Sequence, residues 1–105
     1  MFFRLNDVVK LRLYEVDFYV KIVKHKHSLG FISILADDQL SINIEVLKTY
    51  KDTEVICSVT DPAYRLLLDS LKSNKKQQLR IWEQMDAAGW NKHESFMHER
   101  MTSRN

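Results

Sequence analysis

The spacing of the apolar residues changes once along this chain, at Thr60, Asp61 and Pro62, and that change bounds what it can fold into. Before it, apolar residues recur at every second position; after it, at every third or fourth. Period two marks strands with one buried face, and a period near 3.6 marks helices with one buried stripe. The expectation is an α+β fold, with an antiparallel sheet of four or five strands over residues 1–60 followed by two or three C-terminal helices over residues 61–101. With 105 residues the chain is the size of one domain with one core, so residues 1–105 are read as a single domain, 102–105 being a frayed tail.

LSINIEV carries the plainest alternation, with Leu40, Ile42, Ile44 and Val46 on one side and Ser41, Asn43 and Glu45 on the other. FISILA and the pair Asp37 and Asp38 read as its hairpin partner and turn. EVICSVT follows as a third strand, with Val55, Cys57 and Val59 on one face, so three antiparallel strands come in succession. Toward the amino terminus, Val9, Leu11 and Leu13 alternate on odd numbers, then Val16, Phe18, Val20 and Ile22 on even numbers. The parity slips at Tyr14 and Glu15. A hairpin there would lack the usual Gly or Asn, so one long, bulged or bent strand is favoured.

After the boundary, Asp61 suits a helix N-cap and Pro62 the first helical position, where a missing amide hydrogen costs nothing. Tyr64, Leu67, Leu68 and Leu71 then form a stripe to pack over the sheet. Lys72, Lys75 and Lys76 suit a helix carboxy terminus, with a break near Ser73 and Asn74. The next helix aligns Leu79, Trp82, Met85 and Ala88, with Ile81 beside them. It stops at Gly89 in a Schellman-type ending that pairs Met85 with Trp90. Asn91 and Glu94 cap a short last helix.

Function classes narrow by what the residues allow. Cys57 is the one cysteine, which leaves no intramolecular disulfide and no multi-cysteine zinc site, and suits a reducing, cytoplasmic setting. MFFRLNDVVKLRLYEV meets Arg4, Asp7 and Lys10 before a signal-peptide core could form, and no apolar run reaches the roughly 18 residues of a membrane span. Gly30 and Gly89 alone cannot build a phosphate-cradling loop, and neither a nucleophile elbow nor a kinase-like run occurs. No enzyme, cofactor or metal is expected.

The metal candidates fail on spacing. His25 and His27 supply two ligands where zinc needs three or four, and Lys24 and Lys26 would repel a cation. Glu94 and His98 share a helical face, but His93 and His98 are five apart and miss the chelating i, i+4 arrangement by one residue. Asp37, Asp38, Glu45 and Lys48 match no nuclease spacing. Cys57 falls on the inward side of its strand and reads as a small hydrophobe.

Two surfaces remain. Trp82, Trp90, Phe96, Met97 and Met101 are soft, large residues of the kind enriched at interface cores, and point to a protein partner or a homodimer. Cations form the second. The net charge is only +2, with eight Lys/Arg against eight Asp/Glu in residues 1–60 and eight against six in residues 61–105. The excess is carboxy-terminal, and Lys72, Lys75, Lys76 and Arg80 gather around the interhelical turn, where they could contact phosphates. Lys10, Arg12, Tyr14, Tyr19 and Lys21 give a weaker sheet-face version, diluted by Glu15 and Asp17. The expectation is a small intracellular, non-catalytic regulatory or inhibitory protein acting through protein-protein contacts, of the kind common in bacteria and their phages. A nucleic-acid-binding regulator using the basic interhelical patch is the alternative.

Overall fold

The computed structural model describes residues 2–36 and 40–85. Its first two strands, β1 (Asp7–Leu13) and β2 (Val16–His25), are antiparallel and joined by Tyr14 and Glu15 alone. Both linking residues have positive φ, 52° and 61°, the backbone that a two-residue hairpin of type I′ needs. The slip in parity is therefore a turn, and the expected single bulged strand is corrected. Across this turn odd positions of β1 meet even positions of β2, so that Val9 faces Val20 and Leu11 faces Phe18. All four are at most 1% exposed. Left-handed backbone costs roughly 1–2 kcal/mol per non-glycine residue, less than the roughly 1.5–3 kcal/mol gained by burying each large apolar side chain. Register overrides turn chemistry here.

β3 (Ser28–Ser33) pairs with β2, and the short β4 (Ile42–Asn43) pairs with β3. Gly30 lies at this crossing because a Cβ there would sit 2.7 Å from both His25 Cβ and the Ile42 carbonyl oxygen. The expected strand through LSINIEV ends almost as it begins. After Asn43 the chain turns into a four-residue helix, α1 (Ile44–Leu47), and the Asn43 side-chain oxygen accepts the Glu45 amide hydrogen at 2.8 Å. Asn43 is an N-cap, and Ile44, Val46 and Leu47 are buried together as one helical turn. Leu40, expected to face inward, is 57% exposed.

β5 (Thr53–Ser58) lies where EVICSVT predicts a strand, but its neighbour is β1 and not β4. The sheet order is β4-β3-β2-β1-β5, antiparallel throughout. A bulge sits in this last pairing: Val8 faces Cys57 and Val9 faces Val55, leaving Ile56 as the extra residue. With the helices that follow, this is an α+β arrangement.

α2 (Pro62–Ser70) begins as expected, its N-cap Asp61 accepting the Ala63 amide hydrogen at 2.9 Å with Pro62 in the first turn. Tyr64, Leu67, Leu68 and Leu71 pack with Val8 and Ile34 in a small second cluster that Cys57 and Val59 join. A 3₁₀ turn at Lys72–Asn74 provides the expected break before α3 (Lys75–Met85). Ile81, Trp82 and Met85 of α3 enter the main core with Phe18, Val20, Ile22, Phe31 and Ile42. The Trp82 ring lies 6.5 Å from Phe18, nearly parallel, and 6.0 Å from Phe31, edge-on. The expected turn at Asp37 and Asp38, the stop at Gly89, the helix capped by Asn91 and the tail all lie outside the described residues.

Candidate binding groove

Helix α3 is fixed by a polar clamp as well as by Trp82. β3 leaves the sheet after Ser33, and its last bond to this part of β2 runs from the Ile34 amide to the Tyr19 carbonyl, 3.3 Å. Beyond that point the β2 edge would face no strand. The Gln78 side chain takes the missing place: its amide nitrogen donates to the Asp17 carbonyl at 2.9 Å, and its oxygen accepts from the Tyr19 amide at 3.4 Å. Gln78 is 1% exposed, so both of its polar ends are satisfied inside the fold.

With α3 pinned in this way, its next face meets the β1–β2 hairpin. Tyr14 and Val16 from the hairpin, and Lys76, Gln77, Arg80, Ile81 and Gln84 from α3, line an open groove of about 470 Å³. The spacing explains the helix side, because residues 77, 81 and 84 share one stripe and residues 76 and 80 lie one turn apart beside it. Val16 and Ile81 are its apolar lining residues. Tyr14, at the tip, is 69% exposed. Among the described residues neither Lys76 nor Arg80 has a carboxylate partner.

Four other cations are ion-paired. Lys10 meets Glu54 at 3.6 Å, Arg12 meets Asp17 at 3.2 Å, Lys48 meets Glu45 at 3.2 Å and Lys72 meets Asp69 at 3.2 Å. The sheet-face arrangement of cations and aromatics is thereby thinned, with Lys21 in none of these pairs. Two of its cations are paired, and Tyr19 is half-buried against the second cluster, where burial, then Asp17, raises its hydroxyl pKa against a smaller opposing effect of Lys10.

The interhelical cations divide in the same manner. Lys76 and Arg80 line the groove, while Lys75 is exposed outside it. Lys72 instead borders a separate hollow beside Asp61, Arg65 and Asp69. Of the residues expected at a partner surface, Trp82 is 5% exposed and belongs to the core; Trp90, Phe96, Met97 and Met101 lie outside the described residues. Sequence reasoning placed Tyr14 on the sheet face and passed over Val16, Gln77, Ile81 and Gln84. The slip of parity at Tyr14 was the signal that could have put this ring at a hairpin tip.

His25 and His27 form no centre with the other described residues, and the candidate at His93, Glu94 and His98 lies outside them. His25 is buried and its Nδ1 shares a 2.7 Å hydrogen bond with Ser41 Oγ, whereas His27 is exposed in the following turn. Among the described residues no three His, Cys, Asp or Glu side chains gather as metal ligands, and no helix is long and apolar enough to cross a membrane. No protein-family model matches the chain, and neither does any curated protein or solved structure.

Proposed function

We propose that this chain is a small non-catalytic binding protein that holds nucleic acid in the groove between the β1–β2 hairpin and α3. The observation that carries this reading is that Lys76 and Arg80, without a carboxylate partner among the described residues, line one groove with the exposed Tyr14 and the apolar Val16 and Ile81. Phosphates recruit such cations and release counterions as they do so. Aromatic rings beside them accept bases. An acidic protein would use the cations but gain less from the ring.

Fluorescence anisotropy of a labelled oligonucleotide at low ionic strength tests it. The double substitution Lys76→Glu with Arg80→Glu should weaken binding at least tenfold and reduce the slope of log K against log salt by roughly 1.5, as expected for about two lost phosphate contacts. Lys24→Glu with Lys26→Glu, at the opposite end of β2, makes the same change in net charge and should do far less. Equal losses in the two pairs, or no binding by the unaltered protein, would remove the reading.

The regulatory or inhibitory reading through protein contacts has one supporting observation. β5 is an edge strand, and its Val55 and Ile56 are 38% and 37% exposed. An apolar edge favours pairing with another strand, a second copy included. Light scattering over a range of protein concentrations tests that self-association, and a monomer throughout counts against it.

A further inference from the structure

We infer that the groove takes a single strand rather than a duplex, with an unpaired base stacked on Tyr14 and its backbone phosphates on Lys76 and Arg80. This rests on the groove being the nucleic-acid site, and it begins from a choice of residue that the turn itself does not favour. Tyr14 has φ of 52° and Glu15 φ of 61°, in a turn that Asn and Gly would make without strain. A bulky residue held in that region normally gains packing in return. Tyr14 gains little, since 69% of it is exposed. Strain kept at an exposed aromatic points to a use for the ring outside the fold.

The surroundings define that use. An exposed tyrosine ring offers a flat face to any base, and stacking is tolerant of sequence. Lys76 and Arg80 are separated by four residues, a rise of about 6 Å along α3, so that successive phosphates can lie along the helix while the base turns toward the tip. The Glu15 carboxylate beside Tyr14 disfavours a phosphate at the tip itself, which fixes that polarity. Gln77 and Gln84 each bring one acceptor and two donor hydrogens into the groove, enough to meet the hydrogen-bonding edge of an unpaired base. In a duplex the base faces are covered by their neighbours and Tyr14 would have nothing to stack on. The two cations that line the groove are also few for a duplex, which is held chiefly through its many phosphates.

The test measures binding of labelled single-stranded ten-nucleotide RNA and DNA, and of the matching duplexes, to the full chain. Three proteins are compared: unaltered, Tyr14→Phe and Tyr14→Asn. The asparagine variant separates the two roles of the residue, because Asn accepts positive φ and removes the ring. We expect single strands to bind at least tenfold tighter than duplexes, Tyr14→Phe to stay within about twofold, and Tyr14→Asn to lose roughly tenfold to a hundredfold. The urea midpoint of Tyr14→Asn should be equal to or higher than that of the unaltered chain, so the loss cannot be charged to unfolding. Equal affinity for duplex, or full affinity in Tyr14→Asn, overturns the inference. If Lys76→Glu with Arg80→Glu still weakens binding in that case, the groove remains a polyanion site and only the stacking falls. A polyglutamate peptide that displaces the oligonucleotide at equal charge concentration would assign the groove to an acidic protein and overturn the inference as well.

Discussion

Tyr14 and Glu15 form a turn that their own chemistry resists. Neither side chain favours positive φ, yet both adopt it because the paired register of Val9 with Val20 and Leu11 with Phe18 leaves two residues to reverse the chain. Glu15 is the cleaner place to measure that resistance, since it does not line the groove. Glu15→Gly should raise stability by about 1 kcal/mol in urea denaturation, because glycine enters this backbone region without steric cost. A lower midpoint would mean that the carboxylate makes a contribution larger than the strain. The same residues show why this reversal was hard to read from the sequence. The parity slip was visible, but local turn preferences pointed away from a hairpin, and the long-range pairing that decides the matter has no local mark. Lys76 and Arg80 were legible as cations at helical spacing; that Lys10 and Arg12 are paired while these two have no carboxylate partner among the described residues depended on where Glu54 and Asp17 came to lie.

Among the elements, α3 and α1 stand at opposite ends of legibility. The stripe of Trp82 and Met85 with Ile81 beside it was readable at helical spacing and is buried as a unit. LSINIEV was read as a strand because Leu40, Ile42, Ile44 and Val46 alternate, yet a short apolar run carries too few turns of either period to decide. Asn43, read only as an outward strand position, held the deciding information as a helix cap. Gln78 had no sequence signal at all, since a glutamine inside a polar helix start reads as solvent-facing. Its clamp sets how α3 meets β2, and Gln78→Met keeps the volume while removing both hydrogen bonds. The expected loss is about 1–3 kcal/mol by urea denaturation, the cost of leaving buried backbone groups unpaired. An unchanged midpoint would show that the clamp contributes nothing.

For the molecule as a whole, ionisation at high pH works against the folded state. Burial raises the pKa of the Tyr19, Tyr50 and Tyr64 hydroxyls and of the Cys57 thiol, with further upward pushes from Asp17 on Tyr19, Tyr14 on Tyr50, Cys57 on Tyr64 and Asp61 on Cys57. Each group therefore stays protonated in the fold at a pH where the unfolded chain has released its proton. Their stabilising contribution is complete below the ordinary cysteine and tyrosine values, roughly pH 8.5–10, and is lost as pH rises through the higher folded values. Urea midpoints should fall steadily from pH 8 to about pH 11, and a flat profile would contradict the burial of these groups. Strand order is the part of the architecture that no run of residues announced, since β5 passes over its sequence neighbour β4 to join β1. That choice has a consequence in time. β1 is complete at Leu13, but the strand that covers its outer side begins only at Thr53. At a synthesis rate of about 5–20 residues per second, the nascent chain spends roughly two to eight seconds with β1 made and its last partner still unmade. β2 is complete at His25 and a hairpin closes within microseconds, so for the last 28 residues of that interval, roughly 1.4–5.6 seconds, the ribosome-bound chain carries an unfinished sheet with a raw margin. A chain cut short before Thr53 would keep that margin permanently, open to strands of its neighbours.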